Sequence, residues 1–165
     1  AGLLATALLA RAGREVHAFS RKDNVAELLQ MAGAAQIESY PDFGHRPLEK
    51  SRWAGGVDVV GGTTLDWLLR SASTGASVAV IGNAAGNKLQ TNVLPLILRG
   101  INVLGVSVTF LAPELRAQLW QNLAEGVSPD LLRALVHTVP LDEVGTALDT
   151  IAEANALGRT VVKVK

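Results

Sequence analysis

Cysteine is absent from the 165 residues of this chain, and aromatic residues are few: three tryptophans, three phenylalanines and one tyrosine. Without cysteine the chain can form no disulfide, thiolate nucleophile or Cys-type zinc site, and we expect it to bind no metal. It also lacks an excess of charge of one sign, because 15 basic and 15 acidic side chains cancel. We therefore expect no nucleic-acid or membrane partner, and any anion site must be local.

No targeting or membrane segment is predicted. The opening "AGLLATALLARAG" is apolar, but no basic leader precedes it and no stop-transfer pattern follows it. Apolar residues make up 48% of the chain and charged residues 18%, which is typical of a folded globular domain. We expect one domain over 1–165 and a cytoplasmic location. Because the chain opens with Ala1 in the middle of a helical pattern, we also expect it to be part of a longer protein.

Helical and strand patterns alternate along the chain. Helical spacing covers 3–12, 25–34, 65–73, 92–100, 113–126, 128–138 and 141–156, and strand patterns cover 15–20, 35–40, 57–62, 76–82, 101–108 and 159–165. We expect Asn24 to cap the second helix and Thr63 or Thr64 the third. Because the strands are continuously apolar and alternate with helices, the fold is predicted as α/β, with a doubly wound parallel sheet of the Rossmann-like type.

The order of the first elements departs from a complete Rossmann unit. In that unit a strand and a glycine-rich turn precede the first helix. Here the helix comes first, and only Gly2 stands where the turn would be. We therefore predict a cofactor domain that lacks its first strand, with a break in the sheet between 15–20 and 57–60.

A cationic cluster follows the strand at 15–20. Ser20, Arg21 and Lys22 stand where an NAD-binding fold has an acidic residue for the ribose 2′-hydroxyl. A hydroxyl and two cations suit a 2′-phosphate instead. An ordinary exposed turn is the alternative, but the position within the strand–helix–strand pattern favours NADP(H).

Two glycine-rich loops follow buried strands. "VVGG" at 59–62 contains Gly61, and "GNAAG" at 82–86 runs from Gly82 to Gly86. Both are expected at the carboxyl edge of the sheet, where doubly wound folds bind ligands. Gly2 would place the positive end of the first helix near a pyrophosphate. Each glycine alone is typical of a plain turn, but together with 20–22 they favour a shared crevice.

Other conspicuous residues are interpreted as structural. Asp58 stands alone in an apolar strand and is expected to be a buried carboxylate with hydrogen-bond partners rather than a general base. Three histidines lack metal spacing, and three tryptophans are assigned to the core: His17, His45 and His137, and Trp53, Trp67 and Trp120. The apolar strand at 101–108 would lie at the edge of the sheet, and we expect it to form a homodimer with its copy.

Four strings carry a family resemblance. "RPLEKSRWAGGVDVVGG", "TNVLPLILRGINVLGV", "APELRAQLW" and "GRTVVKV" closely resemble the zinc-independent medium-chain dehydrogenase/reductases, in the quinone-oxidoreductase-like branch that contains acryloyl-CoA reductase. The resemblance implies NADPH-dependent reduction of an activated carbon–carbon double bond in an enone or acyl-CoA substrate by hydride transfer. It also implies a GroES-like catalytic domain upstream. We therefore assign no catalytic residue within this chain and expect no turnover from it alone.

The resemblance also implies roles for individual residues. Gly2 matches the last glycine of the cofactor turn, and Ser20 matches the serine that holds the 2′-phosphate. Lys22 stands where the family has an arginine, and Arg21 replaces a glycine. The remaining cofactor residues match the loop on the nicotinamide side and the helix after it: Gly82, Asn83, Ala84, Gly86 and Ile97. The alternative reading is a non-catalytic nucleotide-binding or interaction module of the same fold, which fold alone does not exclude.

Overall fold

The computed structural model of the chain describes residues 1–153 and 155–164. Its elements in chain order are α1 (Gly2–Arg11), β1 (His17–Phe19), α2 (Ala26–Met31), β2 (Gln36–Glu38), β3 (Trp53–Asp58), α3 (Gly62–Ser71), β4 (Ala72–Val80), α4 (Leu94–Arg99), β5 (Asn102–Gly105), α5 (Pro113–Gly126), α6 (Pro129–Ala134), β6 (Val136–Pro140), α7 (Val144–Ala152) and β7 (Arg159–Lys163). Single 3₁₀ turns at Asp23–Val25 and Leu141–Glu143 precede α2 and α7.

Every strand pair is parallel, so the predicted α/β class is confirmed. The strands form three sheets, β1–β2, β3–β4–β5 and β6–β7. Among residues 1–153 and 155–164, no strand joins the sheet that contains β1 to the sheet that contains β3. The break that we predicted between these two strands is therefore present.

The chain divides into two compact units. The first unit contains Ala1–Ala5 and Tyr40–Gln118, and the second contains Thr6–Ser39 and Leu119–Lys165. The first unit holds the three-stranded sheet, and its core is the apolar contact between α3 and β4. The buried members of this core are Leu65, Leu69, Ala72, Ala76, Val78 and Ile101.

The structure corrects several boundaries and two caps. The strand predicted at 101–108 is shorter, because β5 covers only Asn102–Gly105. The segment 136–138, predicted as helix, belongs to β6, because residues 136–140 pair with β7. Strand β3 begins at Trp53 and ends at Asp58, before the predicted 57–62 range is complete. Strand β4 begins directly after α3, at Ala72. Asn24 lies inside a 3₁₀ turn and caps nothing, and the N-cap of α3 is Gly61 rather than Thr63 or Thr64.

The tryptophans divide between core and surface. Trp67 is buried, and its ring lies 6.1 Å from that of Trp53 and 5.9 Å from that of Phe43, measured between centroids. Trp120 is 66% exposed on α5, so its assignment to the core is wrong. None of the helices in the described part of the chain combines the length and apolar character needed to cross a lipid bilayer.

The buried guanidinium of Arg70 secures the long connection before β3. Its side chain is 4% exposed and forms ion pairs with Asp66 (2.8 Å) and Glu49 (3.0 Å). It also donates to the backbone oxygens of Phe43 and Arg46, each at 2.8 Å. An irregular segment has no ladder to satisfy its carbonyls, so a buried arginine with several donors takes over that task.

We expect Arg70→Met to lower the free energy of unfolding by about 3–5 kcal/mol, because both carboxylates and the carbonyls would lose their buried donor. A urea titration followed by tryptophan fluorescence measures the change. The matched control is Arg46→Met, since the Arg46 side chain is exposed, and it should stay within about 0.5 kcal/mol of the parent. Equal midpoints for the two variants would contradict the role given to Arg70.

Candidate functional site

The turn after β1 presents the three predicted phosphate ligands, and it lies in the second unit. The Ser20 N–H donates to the Glu38 carbonyl at 3.2 Å, which continues the pairing of β1 with β2 by one residue. The Ser20 hydroxyl oxygen then accepts from the Lys22 N–H at 3.0 Å. These two bonds fix the backbone of the turn, and the Ser20 hydroxyl proton is left to donate to a ligand.

The two cations of the turn differ in their surroundings. The Lys22 ammonium donates to the Ala156 carbonyl and is half-buried. Arg21 is exposed, and its guanidinium makes no hydrogen bond or ion pair with any residue in 1–153 or 155–164. Within the described part of the chain, Lys22 is therefore committed to a contact and Arg21 is not.

The turn between β3 and α3 is shaped by the buried carboxylate of Asp58. Asp58 is 3% exposed, and its Oδ2 accepts from the Gly61 N–H at 2.7 Å. Burial raises the pKa of this carboxyl above its ordinary value, while hydrogen bonds from the Gly61 and Val60 N–H groups act in the opposite direction. The expectation of a hydrogen-bonded buried carboxylate is thus confirmed. Asp58 acts on the backbone of the glycine turn.

The two glycine-rich loops of the first unit lie directly against each other. The Ala85 N–H donates to the Val60 carbonyl at 2.8 Å. A Cβ on Gly82 would lie 2.5 Å from the Val59 oxygen, and a Cβ on Gly61 would lie 2.9 Å from the Gly86 oxygen. Both distances are shorter than real Cβ contacts, so a side chain at either position would separate the loops. The glycines at 61 and 82 are thus required by backbone-to-backbone packing.

Helix α1 begins beside the turn between β3 and α3. A Cβ on Gly2 would lie 3.8 Å from the Val59 side chain, so this helix start is close to the end of β3. Ile97 lies on α4 and is 68% exposed. The first unit therefore holds Gly2, Gly61, Gly82, Asn83, Ala84, Gly86 and Ile97, whereas the second holds Ser20, Arg21 and Lys22. The shared crevice stays a prediction.

Two contacts were missed by the sequence interpretation. Nothing in the pattern around 155–158 indicates that the Ala156 carbonyl would accept from Lys22, since the two residues are far apart in the chain. The multiple bonds of Arg70 were also missed, although an arginine within the mostly apolar pattern of α3 is a usable signal. Within residues 1–153 and 155–164 there is no group of three or more histidine and acidic side chains able to hold a metal.

Comparison with known proteins gives two kinds of relative. Acrylyl-CoA reductase AcuI of Ruegeria pomeroyi is 36% identical over 166 residues, which is 99% of this chain and 50% of that protein. The putative quinone oxidoreductase YhfP of Bacillus subtilis is 34% identical over 98% of this chain and 50% of its own length. The chain thus spans about half the length of the curated relatives it matches. No model of a protein family matches the sequence.

The structural comparison agrees with the sequence comparison. The yhdH oxidoreductase of Salmonella enterica, solved in complex with NADP, matches with a TM-score of 0.92 and 34% identity over 99% of this chain and 51% of its own. The resemblance to these oxidoreductases is confirmed. YhfP, solved with NAD bound, gives a TM-score of 0.86 over 98% of this chain and 50% of its own.

The tight packing of the glycine loops gives a test of their geometry. Gly61→Ala places a Cβ against the Gly86 oxygen, at a residue whose φ of 75° is unfavourable for alanine. We expect the free energy of unfolding to fall by about 1–3 kcal/mol, measured by urea denaturation. Gly145→Ala on α7 is the control, because a Cβ there also meets nothing within 4 Å and the residue lies outside both glycine loops. Should Gly61→Ala unfold at the same midpoint as this control, the loops would not be packed as described.

Proposed function

We propose that this chain is the cofactor-binding part of an NADPH-dependent oxidoreductase that reduces an activated carbon–carbon double bond. The substrate class is an acyl-CoA thioester of the acryloyl type or a quinone or enone. The observation that carries the proposal is the turn Ser20–Lys22, which offers a hydroxyl and an uncommitted cation at the end of β1. It occurs in a chain that matches an oxidoreductase solved with NADP.

The structural features of the first unit fit a dinucleotide. The loops that contain Gly61 and Gly82 pack backbone against backbone, and the small residues from Asn83 to Gly86 are exposed, so a ligand can approach this loop closely. The N-terminus of the ten-residue helix α1 lies beside the same turn and carries the positive end of the helix dipole. On this proposal the helix start at Gly2 lies along the pyrophosphate, and the loop from Gly82 to Gly86 lies along the nicotinamide half. Gly61 is buried with its N–H held by Asp58, so its part is to support the neighbouring loop.

The second unit distinguishes the phosphorylated cofactor from NAD(H). No carboxylate stands at 20–22 to accept from a ribose 2′-hydroxyl, whereas Ser20 and Arg21 can donate to a phosphate. YhfP was solved with NAD, so likeness to these relatives does not decide the preference for this chain. The preference has to come from the residues of the turn.

The chemical step is supplied by the cofactor, which delivers a hydride to the electron-poor carbon of the double bond. The residues of this chain bind and orient the cofactor, and Ile97, exposed on α4, would supply an apolar surface near the nicotinamide. We assign no proton donor within residues 1–165. Substrate contacts and the proton donor are proposed to lie in the half of the protein that this chain does not match.

The test is cofactor oxidation by the intact protein. We expect acryloyl-CoA or a quinone to be reduced with NADPH, and with NADH at least about tenfold less efficiently in kcat/KM, because NADH lacks the charge-assisted bonds of the 2′-phosphate. Absorbance of the reduced nicotinamide measures both rates. Equal efficiency with the two cofactors would contradict the NADPH assignment. Tight NADPH binding with no turnover of either substrate would favour the non-catalytic nucleotide-binding module.

We also propose that the protein forms a homodimer through the edge strand β5, which covers Asn102–Gly105 of the predicted range 101–108. Strand β5 pairs with β4 alone among the described strands, and all four of its residues are exposed. Val103 is 42% exposed and Leu104 50% exposed. An apolar strand with one free edge is a template for pairing with a second copy of itself, and charge on such an edge opposes the pairing.

Light scattering on the intact protein tests the dimer. We expect the mass of two chains for the parent and of one chain for Val103→Lys, because the ammonium would lie on the apolar edge and oppose its burial. Leu132→Lys, at a similarly exposed leucine on α6, is the control and should remain dimeric. A parent mass of one chain would refute the dimer.

A further inference from the structure

The turn Ser20–Lys22 presents its middle residue differently from its last. Its backbone is fixed at one end by the bond from the Ser20 N–H to the Glu38 carbonyl, and it is closed by the bond from the Lys22 N–H to the Ser20 hydroxyl. Arg21 is therefore the central residue of a closed turn. Its guanidinium is attached to a backbone that is already ordered, so less conformational entropy is lost when it binds an anion.

Lys22 already has a structural contact. Its ammonium donates to the Ala156 carbonyl, in the segment between α7 and β7. The N–H of Ala156 in turn donates to the Thr150 carbonyl at 3.2 Å, so this segment is tied back to α7. If Lys22 moved to a phosphate, it would leave the Ala156 carbonyl without this donor, which offsets part of the gain from the new contact.

Arg21 carries no such cost. Its side chain is exposed and forms no hydrogen bond or ion pair with any residue of the described ranges. The nearest carboxylate on the paired strand is also engaged, because Glu38 Oε1 lies 2.7 Å from His17 Nδ1. A guanidinium presents a planar fork that can bind two oxygens of a phosphate at once, which a lysine ammonium cannot do.

We propose that Arg21 is the principal ligand of the cofactor 2′-phosphate in this protein, and that Lys22 is a positioning residue that fastens the turn to Ala156. This assignment rests on the proposed function. Arg21 then determines cofactor selectivity, and Lys22 holds the turn in place. The assignment also reverses the expectation drawn from the family pattern, in which the position of Lys22 carries the phosphate-binding arginine and the position of Arg21 carries a glycine.

The experiment compares three variants of the intact protein, Arg21→Ala, Lys22→Met and Arg14→Ala, by titration with NADPH and with NADH. Arg14 is an exposed cation of the same unit and controls for the loss of one positive charge. We expect Arg21→Ala to raise the Kd for NADPH by about tenfold or more while the Kd for NADH changes less than about threefold. Arg14→Ala should leave both values within about twofold.

Lys22→Met should leave the ratio of the two Kd values within about threefold of the parent, because the lost contact is to the protein and not to the cofactor. Hydrogen exchange provides the second measurement. The amides of 155–158 should exchange faster in Lys22→Met than in Arg21→Ala, since only Lys22 is bonded to that segment.

The outcomes separate the two proposals. If the parent binds NADPH no better than NADH, the proposed function fails, and the division of labour fails with it. If the parent prefers NADPH but Lys22→Met loses that preference as fully as Arg21→Ala, only the division of labour is overturned. If Arg21→Ala retains the NADPH preference, the division of labour between Arg21 and Lys22 is also overturned.

Discussion

The buried guanidinium of Arg70 determines how the first unit is built. A connection of irregular backbone runs from the end of β2 to the start of β3, and its carbonyls have no regular partners. Arg70 Nη2 donates to Phe43 and Nη1 to Arg46, both at 2.8 Å, from the last turn of α3. Arg99 from α4 donates to the Glu49 oxygen and to the Ala72 oxygen. Two arginines thus supply donors that a strand or helix would otherwise supply.

The same arrangement fixes the loops at the carboxyl edge. Arg70 lies in the last turn of α3, and the first residue of this helix, Gly62, follows directly on the turn shaped by Asp58. The inward face of the helix packs on β3 so closely that a Cβ on Gly56 would lie 2.8 Å from Leu68 Cδ2. With both ends and the middle of α3 held, the position of Gly61 follows from contacts along the whole helix. The backbone geometry of the turn at Gly61 therefore depends on the packing of the whole of α3, and not on the glycine loop alone.

The sequence predicts the features of the fold that depend on local residue patterns. The apolar strands, the glycine loops after them and the cationic end of β1 all follow from periodicity and position, and so does the break before β3. The beginning of β3 was missed because Gly55 and Gly56 weaken a strand pattern. Glycine occupies these two positions because Leu68 and the β4 backbone approach them closely. Strand β6 was missed because it is specified by its pairing with β7, much later in the chain. The bonds of Arg70 and Lys22 are likewise long-range and leave no local signal.

The proposed function gives the two units different tasks in binding a dinucleotide. On the proposed function the glycine loops and the start of α1 lie along the pyrophosphate and the nicotinamide, and NADH and NADPH are identical in these two parts. They can therefore contribute affinity but no discrimination. Discrimination has to come from groups near the 2′ position, and with a formal net charge of +0 no long-range field of the chain supplies it. On the proposed function the selectivity depends on the few atoms of the turn after β1. Lys22 is held there by Ala156, whereas Arg21 contacts no polar group of residues 1–153 and 155–164. A change of cofactor preference would then require substitutions at 20–22 only, with the glycine loops and the Arg70 anchor unchanged.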